Sequence, residues 1–553
     1  MSADLVFTGG TVRVSGRRTA AAVAIRGSRI VAVGPGADLA ALIGPGTEVV
    51  ELRGRAVLPG FVDAHVHPTH GGMSLIRCEL RGAGSAAEAA SRVARYAAEH
   101  PDEEWITGGG WEMSWFPGGT PRRELLDAVV ADRPVYLPNR DAHGAWVNSM
   151  ALELCGIDAR TPDPNDGRIE RDPDGSPQGT LHEGATRLVA DRMPAPSFDD
   201  RVAALLAGQA YLHSAGVTGW QDAIVGDYLG WLDPLDVYLA AARSGQLTGR
   251  VVGALWWDRD RGGEQIEGLL ARRERAGGAA GIGRFRATSI KIMQDGVAEN
   301  FTAGMVAPYL DACGHSNTGS GLSYVDPEAL RGYAATLDAA GFQLHFHAIG
   351  DRAIRESLDA IAAARAANGR TDNRPHIAHL QVIQPSDVVR FGELGVAATM
   401  QALWAYHEPQ LDELTIPFLG PERTGWQYPF AALHTAGAHL AAGSDWPVTT
   451  ANPFHALQVA ATRLPPPDEG DGTEEPFLPE QRLDLADAFD AYTAGSAYVN
   501  HAEDRIGTVE VGKLADLVVV DRDPLAGPAT EVGAVRVLAT YVDGTRVFAD
   551  PSW

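Results

Sequence analysis

Short apolar runs alternate with segments of helical periodicity along most of the chain. Apolar residues recur at helical spacing in four segments: 87–98, 198–214, 327–340 and 352–367. Asp351 stands directly before the last of these and is placed to cap it. Strand-like apolar runs lie between the helices, at residues 216–220, 287–293, 342–347, 375–379, 396–400 and 439–445. This repeated order of strand and helix predicts an α/β fold.

The middle of the chain, residues 58–500, favours a closed parallel (β/α)₈ TIM barrel. A doubly wound open sheet is the competing architecture, but no glycine-rich phosphate fingerprint follows any of the predicted strands. Two stretches rich in proline and acidic residues, 158–178 and 464–481, are predicted to be loops.

Both ends of the chain have the pattern of short strands bounded by glycine, without a helix long enough to build a core. A few isolated strands are not stable on their own. We therefore expect residues 1–57 and 501–553 to form the two parts of one small β domain, with the barrel inserted between them.

Composition and charge narrow the classes of partner. The chain has 553 residues, enough for a large core and more than one domain. Its net charge of −25, from 46 basic and 71 acidic residues, argues against nucleic acid or an anionic membrane as a partner. The N-terminus has neither a signal-peptide pattern nor a membrane span, so we expect a cytoplasmic protein. A homodimer is the default assembly.

The three cysteines, Cys78, Cys155 and Cys313, are scattered and odd in number, which disfavours a disulfide framework or a cysteine metal site. Histidine offers a better candidate. His65 and His67 follow an apolar run, and alternate residues of a strand point to the same side. The pair is therefore a possible set of metal ligands, the alternative being two hydrogen-bonded histidines at a strand end.

Four later apolar runs also end in residues that suit a metal site: Lys291, His347, His379 and Asp445. In a barrel, side chains at the C-terminal ends of the strands converge on one pocket. Four histidines, one aspartate and a bridging group suit one or two divalent cations, with Zn²⁺ as the leading candidate.

Lys291 lies in an apolar setting, and a buried ammonium group is costly unless it is paired. It has two interpretations. The first is a salt bridge to Asp295 or Glu299. The second is a lysine whose pKa is lowered enough by burial to react with CO₂, so that N6-carboxylysine bridges two cations.

The motifs that carry a family resemblance lie at residues 58–67, 291–296, 347–353, 377–379, 443–447 and 512–518. With them the chain resembles the amidohydrolase superfamily, specifically amidohydrolase family 3, which includes YtcJ-like proteins and N-substituted formamide deformylase. The resemblance implies a TIM barrel inserted into a composite β-sandwich, hydrolysis by a metal-activated water, and a carboxylated lysine at Lys291. One departure is Ala378, where family members commonly have glutamate before the histidine.

The resemblance implies a small-molecule amide as substrate, in the N-substituted formamide, N-acyl or cyclic amide class. Asp445 is then expected to move the proton, and His143 and Glu183 are candidate donors to the oxyanion, or else structural residues of a loop. An esterase, carbamate or lactone hydrolase on the same site is one alternative. A catalytically silent barrel that binds a small molecule is another.

Twelve tryptophans are the remaining signal. Trp404 and Trp446 follow predicted strands, and Trp111 lies in a glycine-rich stretch. We expect these three to contact an apolar or aromatic part of the substrate, with packing in the core as the alternative. His345 is predicted to lie behind the ligands, and His70 and His376 to serve packing or support.

Overall fold

The computed structural model describes residues 1–311, 313–316, 319–467, 469 and 475–553. Seven strands lie in its first part: β1 (Leu5–Thr8), β2 (Thr11–Arg13), β3 (Thr19–Ala20), β4 (Ala22–Arg26), β5 (Arg29–Gly34), β6 (Glu48–Glu51) and β7 (Ala56–Pro59). They are followed by β8 (Phe61–Val66), β9 (Cys78–Glu79), β10 (Ile106–Gly109), β11 (Val135–Pro138), β12 (Gly144–Val147), β13 (Gly167–Arg171) and β14 (Pro177–Glu183).

The second half contributes β15 (Val217–Val225), β16 (Arg250–Trp256), β17 (Phe285–Met293), β18 (Gln343–Ala348), β19 (His376–His379), β20 (Ala397–Met400) and β21 (His439–Ala442). The last strands are β22 (Leu517–Val520), β23 (Val537–Val542) and β24 (Thr545–Ala549).

The α-helices are α1 (Gly36–Leu39), α2 (Pro68–Leu75), α3 (Ala86–Glu99), α4 (Arg123–Asp127), α5 (Ser149–Cys155), α6 (Arg187–Ala190), α7 (Phe198–Ser214), α8 (Leu235–Ser244), α9 (Ile266–Arg275), α10 (Pro327–Ala339), α11 (Asp351–Asn368), α12 (Pro385–Leu394), α13 (Pro409–Leu414), α14 (Ile416–Thr424), α15 (Phe430–Thr435), α16 (Pro453–Thr462), α17 (Leu485–Asp490) and α18 (Ser496–Val499). None of the helices in the described ranges combines the length and apolar character that crossing a membrane requires.

The barrel is a parallel sheet of eight strands in the order β21-β20-β19-β18-β17-β16-β15-β8. Its two ends meet through backbone hydrogen bonds, in which Asp445 N–H donates to His65 O at 2.8 Å and His67 N–H to Trp446 O at 2.9 Å. The predicted TIM barrel is thus confirmed. Strand β16 was missing from the prediction, because a strand buried on both faces has no alternation of apolar and polar residues to mark it.

The ends of the chain pack as two sheets, with strand orders β5-β4-β1-β6 and β24-β23-β22-β7-β2-β3. Strand β22 pairs antiparallel with β7, placing Leu517 opposite Pro59. The two sheets share an apolar core in which the rings of Phe7 and Tyr541 meet edge to face at 5.4 Å. The β-sandwich therefore contains strands from both ends of the chain, with the barrel chain between them.

A further sheet of six strands, in the order β13-β14-β12-β11-β10-β9, is inserted between β8 and β15. The loop predicted at 158–178 is wrong in part, because it contains β13 and the first residues of β14. Only Ile169 of β13 is buried, so the strand has no apolar run to reveal it. The loop predicted at 464–481 lies partly outside the described residues.

The four predicted helices correspond to α3, α7, α10 and α11. Asp351, however, does not cap α11. Gly350 occupies the capping position, and the Asp351 carboxylate instead accepts the Val306 backbone N–H at 2.9 Å. That bond ties the start of α11, directly after β18, to the loop that follows β17.

Candidate metal centre

The C-terminal ends of the barrel strands bring the six predicted metal-type residues to one cavity of about 50 Å³. The six are His65 on β8, His67 directly after it, Lys291 on β17, His347 on β18, His379 on β19 and Asp445 just after β21. All six are buried. Residues separated by up to 380 positions in the sequence therefore meet because parallel strands end at the same face of a barrel.

The carboxylate of Asp445 lies among the imidazole rings of three histidines, His65, His67 and His379. Its Oδ1 is 3.0 Å from His67 Nε2 and 3.2 Å from His65 Nε2, and its Oδ2 is 3.9 Å from His379 Nδ1. Ligand atoms of His65, His379 and Asp445 all lie within 4.8 Å of one another, close enough to bind a single ion. The ring centroid of His347 lies 4.4 Å from that of His379, so His347 extends the cluster on that side.

The donor set fits a bound cation. His67 Nδ1 and both ring nitrogens of His379 are buried without a hydrogen-bond partner among the described residues. Buried polar atoms rarely remain unpaired, and these three are atoms that bind divalent metals. Burial also holds the pKa of the His65, His347 and His379 imidazoles well below the usual value. These rings are therefore neutral, as metal ligands must be.

Burial also acts on Asp445, whose carboxylate it disfavours. The hydrogen bond from His67 outweighs that effect, and the pKa of Asp445 lies below its usual value. The aspartate is therefore ionised, and its negative charge complements a cation at this position.

Lys291 has no carboxylate partner within 4.0 Å among the described residues. Its Nζ lies 3.2 Å from His65 Nε2. Burial lowers the pKa of Lys291 to about 7, although Asp445 and Asp222 act in the opposite direction. A substantial fraction of Lys291 is therefore a neutral, nucleophilic amine near neutral pH.

The salt bridges that would have explained Lys291 are absent from the described residues. Asp295 accepts backbone N–H groups of Gly304, Ile349 and Gly350 at 2.8 to 3.0 Å. Glu299 accepts the Thr415 hydroxyl at 2.8 Å. Both carboxyl groups therefore have other partners, and the interpretation of Lys291 as part of an ion pair is wrong.

A buried chain of hydrogen bonds fixes the orientation of His65. Gln221 Oε1, which can only accept, lies 2.7 Å from His345 Nδ1 and 3.1 Å from His376 Nε2. His345 Nδ1 must therefore carry the proton, and His345 Nε2 accepts from His65 Nδ1 at 2.8 Å. This arrangement leaves the lone pair of His65 Nε2 directed toward the cavity. His345 and His376 thus support the ligands, as the sequence suggested.

Backbone geometry that side chains rarely adopt is concentrated at the site. Asp445, His379 and Glu183 have φ values of +57°, +81° and +50°. Such conformations cost about 1–3 kcal/mol each and persist where the surroundings enforce them. Gly443 is needed for close approach, because a Cβ there would lie 2.7 Å from His65 Cβ.

The inserted sheet supplies two more residues. His143 precedes β12 and Glu183 ends β14, and His143 Nδ1 lies 3.0 Å from a Glu183 carboxylate oxygen. Glu183 is buried and also accepts the Thr302 hydroxyl at 2.8 Å. Burial opposes both charges, but their mutual attraction prevails: it raises the pKa of His143 to about 9 and lowers that of Glu183. Glu183 is therefore an acceptor that holds His143, not a donor, which corrects one of the two roles considered for it.

The three predicted substrate tryptophans lie in different places. Trp404 lines the cavity and stacks on His379 with centroids 5.0 Å apart. Trp111 packs instead in the core of the inserted sheet, 1% exposed, and its indole N–H donates to Leu137 O at 2.7 Å. Trp446 stacks on Tyr211 in a neighbouring groove. Of the three tryptophans, only Trp404 lines the cavity.

Sequence reasoning missed Trp231 and Trp256, which also line the cavity. Trp256 is the last residue of β16, the strand that was not predicted, so identifying that strand would have found it. Trp231 lies in the loop between β15 and α8 and stacks on His70 at 3.5 Å. Its position depends on that tertiary contact, for which no local pattern exists.

The chain is similar to known proteins over nearly its whole length. The amidohydrolase family model matches residues 48–548. Protein LONG AFTER FAR-RED 3 of Arabidopsis thaliana is 33% identical, over 99% of this chain and 92% of that protein. N-substituted formamide deformylase of Arthrobacter pascens is 26% identical, over 98% and 97%. The crystal structure of an uncharacterized metal-dependent hydrolase from Pyrococcus horikoshii OT3 has a TM-score of 0.73 and 26% identity, covering 95% of this chain and 99% of that one.

Proposed function

The chain belongs to the amidohydrolase family, and on that basis we propose that it is a metal-dependent hydrolase of a non-peptide C–N bond in a small amide. N-substituted formamides, N-acyl compounds and cyclic amides are the substrate classes concerned. The observation that carries the proposal is the cluster of His65, His379 and Asp445, which contains buried ring nitrogens without a hydrogen-bond partner, with His143 lining the same cavity.

The residues that would hold one or two divalent cations, with Zn²⁺ as the leading candidate, are His65, His67, Lys291, His347, His379 and Asp445. When bound, such a cation lowers the pKa of a water molecule toward ~7 and polarises a carbonyl group. Lys291 would take part as N6-carboxylysine: its neutral amine attacks CO₂, a C–N bond forms and one proton is released. The absence of a carboxylate partner for Lys291 among the described residues supports this role.

In this proposal Asp445 moves the proton during hydrolysis. Its Oδ1 faces His65 and His67, which leaves Oδ2 to accept a proton from the attacking water. The same oxygen then returns the proton to the leaving nitrogen, so that the amine departs uncharged. Because the pKa of Asp445 is held below its usual value, the carboxylate is available as a base at neutral pH.

In this proposal His143 stabilises charge on the substrate. Glu183 binds its Nδ1, so Nε2 is the nitrogen that remains free to donate toward the cavity. A donor fixed in advance at the position of the developing oxyanion is often worth 10²–10³-fold in rate, a general magnitude for acyl transfer. Glu183 would therefore act by holding the imidazolium in place.

One relative in particular supports the proposal that the bond hydrolysed is an amide. N-substituted formamide deformylase aligns with this chain over nearly the full length of both, and its name states an amide substrate. At 26% identity the substrate itself is not carried over, so the proposal extends only to the class of bond.

A hydrolysis screen tests this proposal. The zinc-loaded protein is assayed against N-substituted formamides, N-acyl amino acids, cyclic amides and aryl esters, beside the Asp445→Asn variant. We expect turnover of at least one amide class and a loss of about 10²–10⁴-fold in Asp445→Asn, because proton transfer is lost while the shape of the side chain is retained. Turnover of esters alone would overturn the assignment to amides, and an unimpaired Asp445→Asn variant would overturn the proposed role of the aspartate.

A further inference from the structure

An outer chamber of about 190 Å³ adjoins the metal cavity. The two spaces share Ala142 and Trp231 as lining residues. Met73, Met193 and Leu232 contribute an apolar surface to the outer chamber. A substrate whose scissile bond lies in the small inner cavity therefore has room for its remaining part in the outer chamber.

The charged side chains that line this chamber are all positive among the described residues. Four arginines line it, namely Arg77, Arg81, Arg140 and Arg201, and among the described residues no aspartate or glutamate does. The chain as a whole has 71 acidic and 46 basic residues, so a wall with guanidinium groups and no carboxylate is unlike the protein's average composition. A cleft lined by charge of one sign attracts ligands of the opposite sign.

Three of the four arginines are already paired with carboxylates that do not line the chamber: Arg77 with Glu103 at 3.2 Å, Arg140 with Glu408 at 3.1 Å, and Arg81 with Glu79. Their charges are thereby largely neutralised. They contribute shape and hydrogen-bond donors to the wall more than net attraction for an anion.

Arg201, in the first turns of α7, is different. Among the described residues it has no carboxylate within 4.0 Å, and its Nη1 donates only to the backbone oxygen of Asp233 at 3.2 Å. Its Nη2 makes no hydrogen bond to the described residues, and the guanidinium carbon lies 5.7 Å from the centre of the Phe198 ring. A guanidinium group has five N–H donors in a planar fork that matches a carboxylate, so Arg201 has donors to spare at the chamber.

We propose that the outer chamber binds a carboxylate carried on an apolar body, and that Arg201 is the residue that selects it. The substrate class is then an amide that keeps a free carboxylate beside an apolar group, such as an N-acyl amino acid with a large apolar side chain. This inference rests on the proposed function for the position of the scissile bond in the inner cavity. The chamber's charge and its apolar wall are independent of that function.

Paired substrates test the selection. N-formyl-phenylalanine and N-formyl-phenethylamine differ by the carboxylate alone. We expect the kcat/KM of the wild type to be at least tenfold higher for N-formyl-phenylalanine than for N-formyl-phenethylamine, mainly because its KM is lower. Arg201→Gln should bring the ratio of the two kcat/KM values to within about twofold of one, and Arg201→Lys, which keeps the charge but loses the fork, should retain part of the preference.

The matched control is Arg243→Gln. Arg243 is exposed in the last turn of α8 and lines neither cavity, so its loss changes the net charge equally and should leave the ratio as in the wild type. Equal kcat/KM values for both compounds in the wild type, or an unchanged ratio in Arg201→Gln, would overturn the proposal.

Direct binding separates this inference from the proposed function. Calorimetric titration of the zinc-loaded full chain with 3-phenylpropionate and 3-phenylpropionamide should show at least tenfold tighter binding of the carboxylate, and Arg201→Gln should lose most of that difference. If neither formyl compound is hydrolysed but this preference is found, hydrolysis fails and the chamber's assignment stands. If both are hydrolysed and the titration shows no preference that depends on Arg201, the assignment fails.

Discussion

His345 Nε2 lies 2.8 Å from His65 Nδ1. The contact joins two strands of the barrel, β18 and β8. The bond determines which nitrogen of His65 faces the cavity, because Gln221 fixes the proton on the other nitrogen of His345. The geometry of the site is therefore set by residues that do not themselves reach a ligand position.

We expect His345→Phe to lower the affinity for Zn²⁺ by about 10–100-fold, since partners that orient a metal-bound imidazole have effects of that size. Competition with a chromophoric chelator measures the affinity. His213→Phe is the matched control, because His213 is equally buried but bonds Val217 and Thr248 far from the cavity. The same affinity in His345→Phe and the wild type would show that the bond does not position His65.

The His143–Glu183 pair predicts a pH dependence. Glu183 raises the pKa of His143 to about 9, against the effect of burial, whereas an unperturbed histidine has a pKa of about 6.5. Because the folded-state pKa of His143 is raised, the pair's contribution to stability is lost as the pH rises from about 6.5 through about 9. The donor at Nε2 is expected to weaken over the same range. Because the folded-state pKa of Glu183 is lowered, the contribution is also lost as the pH falls below about 4.3.

In Glu183→Gln the charge that most raises the pKa of His143 is removed, while burial, which lowers that pKa, remains. We expect the alkaline limb of the kcat/KM profile to move to lower pH by at least about one unit, measured from about pH 6 to about pH 10. Thr302→Val is the control, since Thr302 bonds Glu183 at 2.8 Å but carries no charge. An alkaline limb at the same pH in Glu183→Gln and the wild type would rule out an imidazolium at His143 as the titrating group.

Lys291 predicts a dependence on CO₂. After loading with zinc in ¹³C-labelled bicarbonate, the wild type should show a carbamate resonance by NMR. Lys291→Arg should lack it, because a guanidinium group stays protonated and keeps its charge without reacting. We expect that variant to bind less metal and to lose activity. A zinc-loaded wild type that is active without any carbamate signal would contradict carboxylation.

Trp404 and Trp111 were predicted to share a role, and their surroundings now predict different outcomes. Trp404→Ala should raise KM for an N-aryl formamide at least about fivefold and for N-methylformamide less than about twofold, because only the larger compound reaches the ring. Steady-state kinetics on the two compounds measure this. Equal effects on both would count against a substrate contact at Trp404.

Trp111→Ala should act on stability instead. The ring is 1% exposed and packs against Phe116 and Trp146, so its loss is expected to lower the free energy of unfolding by about 3–5 kcal/mol. Denaturant unfolding measures this change. The ratio of kcat/KM values for the two formamides should stay as in the wild type. A changed ratio would indicate that Trp111 contacts the substrate.

The barrel and the convergence of six residues could be predicted because both depend on patterns that lie in single short segments. Each metal-type residue follows its own apolar run, and parallel strands place the ends of such runs at one face. His65 and His67 required only the alternation of a strand. No contact between distant residues had to be known for these inferences.

The rest of the site depends on tertiary contacts. The distance between His143 and Glu183 is set by the pairing of β12 with β14 in the inserted sheet, whose outer strand buries only Ile169 and so left no pattern to read. Gln221 has no feature in the sequence that marks it as the acceptor for two histidines. The glycine-rich sequence around Trp111 suggested a loop. In the structure, however, the indole N–H donates a hydrogen bond to Leu137 O within a buried core.

The central claim is that the divalent cation on which hydrolysis depends is bound by six side chains: His65, His67, Lys291, His347, His379 and Asp445. Measuring metal content per chain by mass spectrometry, together with activity, in the wild type and in His65→Ala/His67→Ala tests it most directly. We expect about one or two equivalents in the wild type, and loss of both metal and hydrolysis in the double variant. A metal-free wild type with full activity, or a double variant that remains fully active, would contradict the claim.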